Sequence, residues 1–133
     1  MPTPRFFASR LAAIVLSGTA LLWAQDASAV DFLEAIEDIP LPAGVREGES
    51  PVDFSTSWGR VIQADAHGDV KREDVVSFYS ASLPSLGWTR TSDDGLIFER
   101  RGEALEISLE NGADDQLLIR FKLIAPPASS RME

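Results

Sequence analysis

The sequence predicts an α+β fold: an antiparallel four- to five-stranded sheet with one main helix on one face and a short N-terminal helix. Three observations predict it. Residues 71–83 space Val75, Val76, Tyr79 and Leu83 along one side of a helix. The chain beyond them alternates apolar and polar residues in short runs. Those runs are separated by Asp93-Asp94-Gly95, Arg101-Gly102 and Asn111-Gly112-Ala113-Asp114-Asp115, the residue types that build hairpin turns.

Residues 1–29 read as a signal peptide. Arg5 and Arg10 precede an apolar run from Leu11 to Ala24, and Ala27-Ser28-Ala29 offers the small residues of a cleavage site. The run is shorter than the roughly 20 apolar residues that span a bilayer. The expected product begins at Val30, is periplasmic or secreted, and has no membrane span after cleavage. The chain has no cysteine to carry a lipid, and Arg10 stands without the second arginine of the twin-arginine route.

The chain carries a formal charge of −9, and losing Arg5, Arg10 and Asp26 with the leader takes it to −10. That balance repels phosphate backbones and excludes nucleic acid as a partner. Without disulfides the fold is held by its core alone, which a domain of about 100 residues can supply.

Along the mature chain, residues 30–51 are expected to form a short helix and a Pro/Gly-rich segment. Phe32, Leu33, Ile36 and Ile39 share a helical face, Asp31 is placed to cap it, and Pro40 and Pro42 stop it. The stretch 40–51 is expected to be irregular and mobile. Residues 52–125 form the α+β domain, with β-prone runs at 52–56 and 59–66 and a turn at Ala66-His67-Gly68-Asp69. Pro84 is expected to end the main helix, with Gly87 turning the chain back as a strand. Residues 126–133 are expected to be a disordered tail.

In the hairpins, Leu96 is expected opposite Ile107 and Phe98 opposite Leu105. Pairing Leu109 with Leu117, Ile107 with Ile119 and Leu105 with Phe121 gives an unbroken apolar face, with Glu106 opposite Arg120 behind it. If the first hairpin turns around Asp94-Gly95, Trp88, Ile97 and Leu118 project from that second face. They are the candidate partner-binding residues, unless the Phe32 helix or residues 40–51 cover them.

His67 is the sole histidine, so no Ser-His-Asp or Cys-His set can be assembled without it. Asp65, His67 and Asp69 are the weak metal candidates, alternating at a strand end, but they lack a fourth ligand of the type structural zinc takes. The Asp93-Asp94 and Asp114-Asp115 pairs are turn residues by position, and neither opens an EF-hand spacing. Phe78, Tyr79, Trp88, Phe98 and Phe121 are spaced as core, with an apolar-ligand pocket as the alternative. No phosphate-loop, dinucleotide or nucleophile-elbow motif occurs, and no cofactor is expected.

Val75-Val76-Ser77-Phe78-Tyr79, followed by Leu83-Pro84-Ser85-Leu86-Gly87-Trp88, resembles small exported proteins and lipoproteins of Gram-negative bacteria. In these a Phe-Tyr helix leads through a Gly-Trp corner into an antiparallel sheet. The resemblance implies that Tyr79 and Trp88 pack helix on sheet and that Gly87 makes the corner. It implies no catalytic residue. The expectation is therefore a non-enzymatic binding or interaction module of the cell envelope with an envelope protein as partner; the alternative is a small-ligand or divalent-cation binding protein. The sequence fixes no oligomeric state.

Overall fold

Alternation in the second half of the chain, and a hairpin turn wherever it breaks, give a meander. In the computed structural model, which describes residues 30–127, four antiparallel strands follow the helix: Thr89–Arg90 (β4), Leu96–Arg100 (β5), Glu103–Asn111 (β6) and Leu117–Ala125 (β7). Before the helix lie Val45–Glu47 (β1), Val52–Thr56 (β2) and Gly59–Gly68 (β3). The expectations for the leader and for residues 128–133 lie outside the described residues.

The sheet has seven strands in the order β1-β3-β7-β6-β5-β4, with β2 also on β3. That corrects the expected four to five. The extra strands come from the Pro/Gly-rich segment, which supplies β1, and from Thr89–Arg90, which is just long enough to pair with β5. β1 and β2 run along the same edge of β3, and residues 48–51 bulge between them; Gly48 N–H bonds Asp65 O at 2.6 Å inside the bulge.

The expected N-terminal helix is absent. Residues 31–41 fold into a closed turn in which Phe32 bridges Pro40, Leu33 N–H bonds Ile39 O (2.8 Å) and Leu41 N–H bonds Asp31 O (2.7 Å). Asp38 takes φ +61°, which a helix interior does not allow. The carboxylate of Glu47 on β1 accepts Glu34 N–H at 2.7 Å and Ala35 N–H at 3.2 Å, satisfying donors that a helix would have used otherwise.

The main helix, Arg72–Ser85 (α1), runs two residues past its expected end with Pro84 in its last turn. Glu73 and Asp74 lie at its N-terminal end, where the helix dipole favours acids. Leu86 and Gly87 N–H groups bond Leu83 and Pro84 carbonyls, and Gly87 at φ +91° makes the corner.

One core results. Val75, Tyr79 and Leu83 from α1 meet Ile62, Ala64 and Ala66 of β3, Leu96 and Phe98 of β5, Leu105 and Ile107 of β6, and Leu117, Ile119, Phe121 and Leu123 of β7. Leu33, Ile36, Ile39 and Leu41 of the N-terminal turn complete it, so residues 31–41 are part of the core layer. Tyr79 lies edge-on to Phe121 at 5.8 Å, an arrangement aromatic pairs favour.

Leu96 does oppose Ile107, and Phe98 opposes Leu105. Arg101 and Gly102 take φ +51° and +80°, the two positive values a tight two-residue hairpin requires. The β6–β7 register differs from the expected one by two residues: Asn111 pairs Leu117, Leu109 pairs Ile119, Ile107 pairs Phe121 and Glu106 pairs Lys122. A five-residue loop closed by Gly112 N–H to Gln116 O (2.7 Å) sets it. Because side chains alternate with period two, this even slip keeps Leu105, Ile107, Leu109, Leu117, Ile119 and Phe121 on the inner face.

Candidate functional site

Among the described residues, the helix and the N-terminal turn pack on one side of the sheet and nothing covers the other side. Neighbouring residues on it follow from the strand registers, in rows that cross the sheet.

One row is apolar. Phe54 on β2 pairs Val61 on β3, Val61 pairs Ile124 on β7, and Ile124 pairs Ala104 on β6. Val52 stands beside Phe54 on the same strand face. Val52, Phe54 and Ile124 are each nearly half exposed. The hairpin joining β2 to β3 carries Trp58, 90% exposed, in a turn that Thr56 closes with hydroxyl bonds to Gly59 O and from Trp58 N–H (both 3.1 Å). Gly59 is required there: at φ +146°, an added Cβ would overlap Ala125 O.

The remaining rows are mainly polar, with Val52, Ile97 and Leu118 among them. Gln63, Lys122 and Glu106 lie side by side, as do Asp65, Arg120 and Ser108. Arg120 contacts Asp65 at 3.5 Å and Glu110 at 3.2 Å. A shallow depression of about 370 Å³ lies over this region, with Ser50, Gln63, Glu106, Arg120 and Lys122 in its lining. At the edge of β2, Asp53 accepts two bonds from the Arg60 guanidinium, 2.9 and 2.6 Å. Those bonds hold the Asp53 carboxyl below its ordinary value and raise Arg60.

Of the residues singled out in the sequence, Ile97 and Leu118 are on the open face and uncovered. They do not form one patch, because Ile97 opposes Glu106, and Leu118 lies between His67 and Glu110. Trp88 is not there. It is 2% exposed on the inner face, since the Thr89↔Glu99 and Arg90↔Phe98 pairing turns it to the same side as Phe98. The Arg100 guanidinium stacks 4.4 Å over the Trp88 ring, donates to Leu86 O (3.2 Å) and approaches Asp38 (3.6 Å). Of the two segments expected to cover the open face, the Phe32 segment packs on the inner face, and the stretch 40–51 supplies β1 at the sheet edge.

Asp65, His67 and Asp69 do not converge: among the described residues no group of three acids or histidines is placed to hold a metal, and Asp65 faces Arg120. Asp93-Asp94 and Asp114-Asp115 are exposed in their turns. Tyr79, Trp88, Phe98 and Phe121 are core, and Phe78 packs against them. Among the described residues no helix is long and apolar enough to cross a membrane. A groove of about 800 Å³ opens between the N-terminal turn and the end of the sheet, with Ile36, Ile62 and Leu123 lining it among Glu34, Glu37, Arg60 and Arg101.

No family model, curated protein or solved structure matches the chain. Phe54, Trp58 and Ile124 were not legible as site residues in the sequence. The available signal was Val52-Asp53-Phe54 alternation ending in Thr56-Ser57-Trp58-Gly59, a strand running into a two-residue turn with a tryptophan at its tip.

Proposed function

We propose that the protein is a non-enzymatic, exported interaction module of the cell envelope that holds a protein partner against the open face of its sheet. One observation carries this reading: the apolar row Phe54, Val61, Ile124 crosses three strands with no element over it among the described residues. Contiguous exposed apolar surface of this kind marks contact sites in small domains. The face carries basic and acidic side chains in nearly equal number, Arg46, Arg120 and Lys122 against Asp65, Glu99, Glu106 and Glu110. A strongly acidic chain has here a surface that a protein with an apolar strip can approach without repulsion. The leader pattern supports export, and the lack of any converging acid, base and nucleophile motif supports the non-enzymatic reading.

A photoreactive amino acid at position 124, set against one at Glu73 on the exposed side of α1, tests this in cells expressing the full chain. A discrete adduct heavier than a pair of this chain from position 124 alone is expected. No adduct, or equal adducts from both positions, would overturn the reading. The recovered protein is expected to begin at Val30; an intact leader would remove the export part.

The groove beside the N-terminal turn supports a second reading, a small-ligand carrier with a floor of Ile36, Ile62 and Leu123. Ligand at 100 times its dissociation constant stabilises the folded state by about 2.7 kcal/mol, so a thermal-shift screen of amphipathic small molecules tests it.

A further inference from the structure

We propose that β2 is a self-association edge, at which two copies of the chain pair antiparallel about Phe54 and join their sheets into one. The inference stands apart from the partner reading, since it concerns the protein alone.

Residues Val52–Thr56 pair with β3 on one side only, and all five are exposed. Among the described residues they make no backbone hydrogen bond outside that ladder. A strand paired on one side leaves alternate N–H and C=O groups pointing outward, which a second strand can complete. The sequence Val-Asp-Phe-Ser-Thr suits itself as that second strand. Two-fold pairing centred on Phe54 sets Phe54 against Phe54, Val52 against Thr56, and Asp53 against Ser55. Aromatic and β-branched residues meet their own kind, an acid meets a hydroxyl, and no like charges face each other.

Charge favours this edge over the rest of the surface. The chain as a whole is −9, so two copies repel over most approaches. At β2 the sole acid is Asp53, already bound by two Arg60 donors. The same register brings the Ser57-Trp58 tip of one copy beside Ser50 and Pro51 of the other, which gives the 90% exposed indole an apolar neighbour. It also joins the Phe54 and Val61 rows of the two open faces.

The association closes at two copies. The bulge at residues 48–51 ends the pairing edge, and the far edge of the sheet, β4, is two residues long. A two-fold contact uses its own patch completely and leaves none for a third copy.

Two measurements on the protein recovered from cells expressing the full chain test this. Sedimentation velocity over micromolar to millimolar concentrations is expected to show a monomer–dimer equilibrium, weakened about tenfold or more by Phe54→Lys. The chain has no cysteine, so Phe54→Cys places a single thiol on the two-fold axis, where directly opposed Cβ atoms are within reach of a disulfide. Under mild oxidation Phe54→Cys is expected to crosslink to itself far faster than Ile97→Cys, which is on the same face away from the edge. A protein that remains monomeric at every concentration overturns the inference, as do equal crosslinking rates for the two cysteine variants. A dimer unaffected by Phe54→Lys also overturns it.

Discussion

The Tyr79 hydroxyl donates to the Pro40 carbonyl at 2.9 Å in the interior of the protein, tying the middle of α1 to the end of the N-terminal turn. Neither group has water as an alternative. Burial also pushes the Tyr79 phenol above its ordinary value, so the folded state holds that proton more tightly than the unfolded chain.

Tyr79→Phe is therefore expected to lower stability at neutral pH by about 1–3 kcal/mol, because Pro40 O is left buried without a donor. The pH dependence has a definite sign. A group whose folded pKa is raised contributes stability that is complete below the unfolded value of 10.0 and falls as pH rises above it. Urea unfolding of the unmodified protein should show alkaline loss of stability above that value, and Tyr79→Phe should show less of it. As Tyr79 is the single tyrosine, tyrosinate absorbance should appear only as the protein unfolds.

Glu47→Ala removes the acceptor for two backbone N–H groups of the N-terminal turn. The expected loss is about 1–2 kcal/mol, since bonds to a charged acceptor are the stronger ones but one donor is exposed. Hydrogen exchange should show Leu33 and Leu41 amides losing protection while those of β6 and β7 keep theirs. Uniform loss would mean the turn does not open on its own.

Arg100→Lys keeps the charge but loses the flat guanidinium that stacks on Trp88 and reaches Leu86 O. An expected loss of about 1 kcal/mol, close to that of Arg100→Ala, separates stacking from plain charge attraction to Asp38. Substituting Trp88 itself with an acid should unfold the protein, whereas Ile97→Asp should be tolerated.

The legible part of the fold is the part decided by alternation and turn chemistry. Phe98 opposite Leu105 followed from Arg101-Gly102, and the inner face of β6 and β7 survived a two-residue slip because the slip was even. Trp88 shows the reverse. A pairing register one residue away from the expected one reverses a strand's faces, and the sequence around Asp93-Asp94-Gly95 allows either register. The N-terminal turn illustrates a different limit: Leu33, Ile36 and Ile39 have helical spacing, but Glu47 and Tyr79 from distant elements satisfy the backbone in another conformation. Of the expected stripe, Leu33, Ile36 and Ile39 are buried, in a conformation other than the helix, whereas Phe32 is 52% exposed. The apolar row of the open face was not legible, because β2 was only a weak run and the row exists only after four strands are in register.

On the reading proposed above, the two faces of the sheet divide the work, the inner one folding the chain and the outer one holding a partner. The most direct measurement is adduct yield from a photoreactive residue at position 124 in a Val61→Glu background, with urea unfolding of the same protein alongside. A lost adduct is expected, with stability within about 1 kcal/mol of the unmodified chain, as for a surface change. A full adduct yield on an intact fold would contradict it.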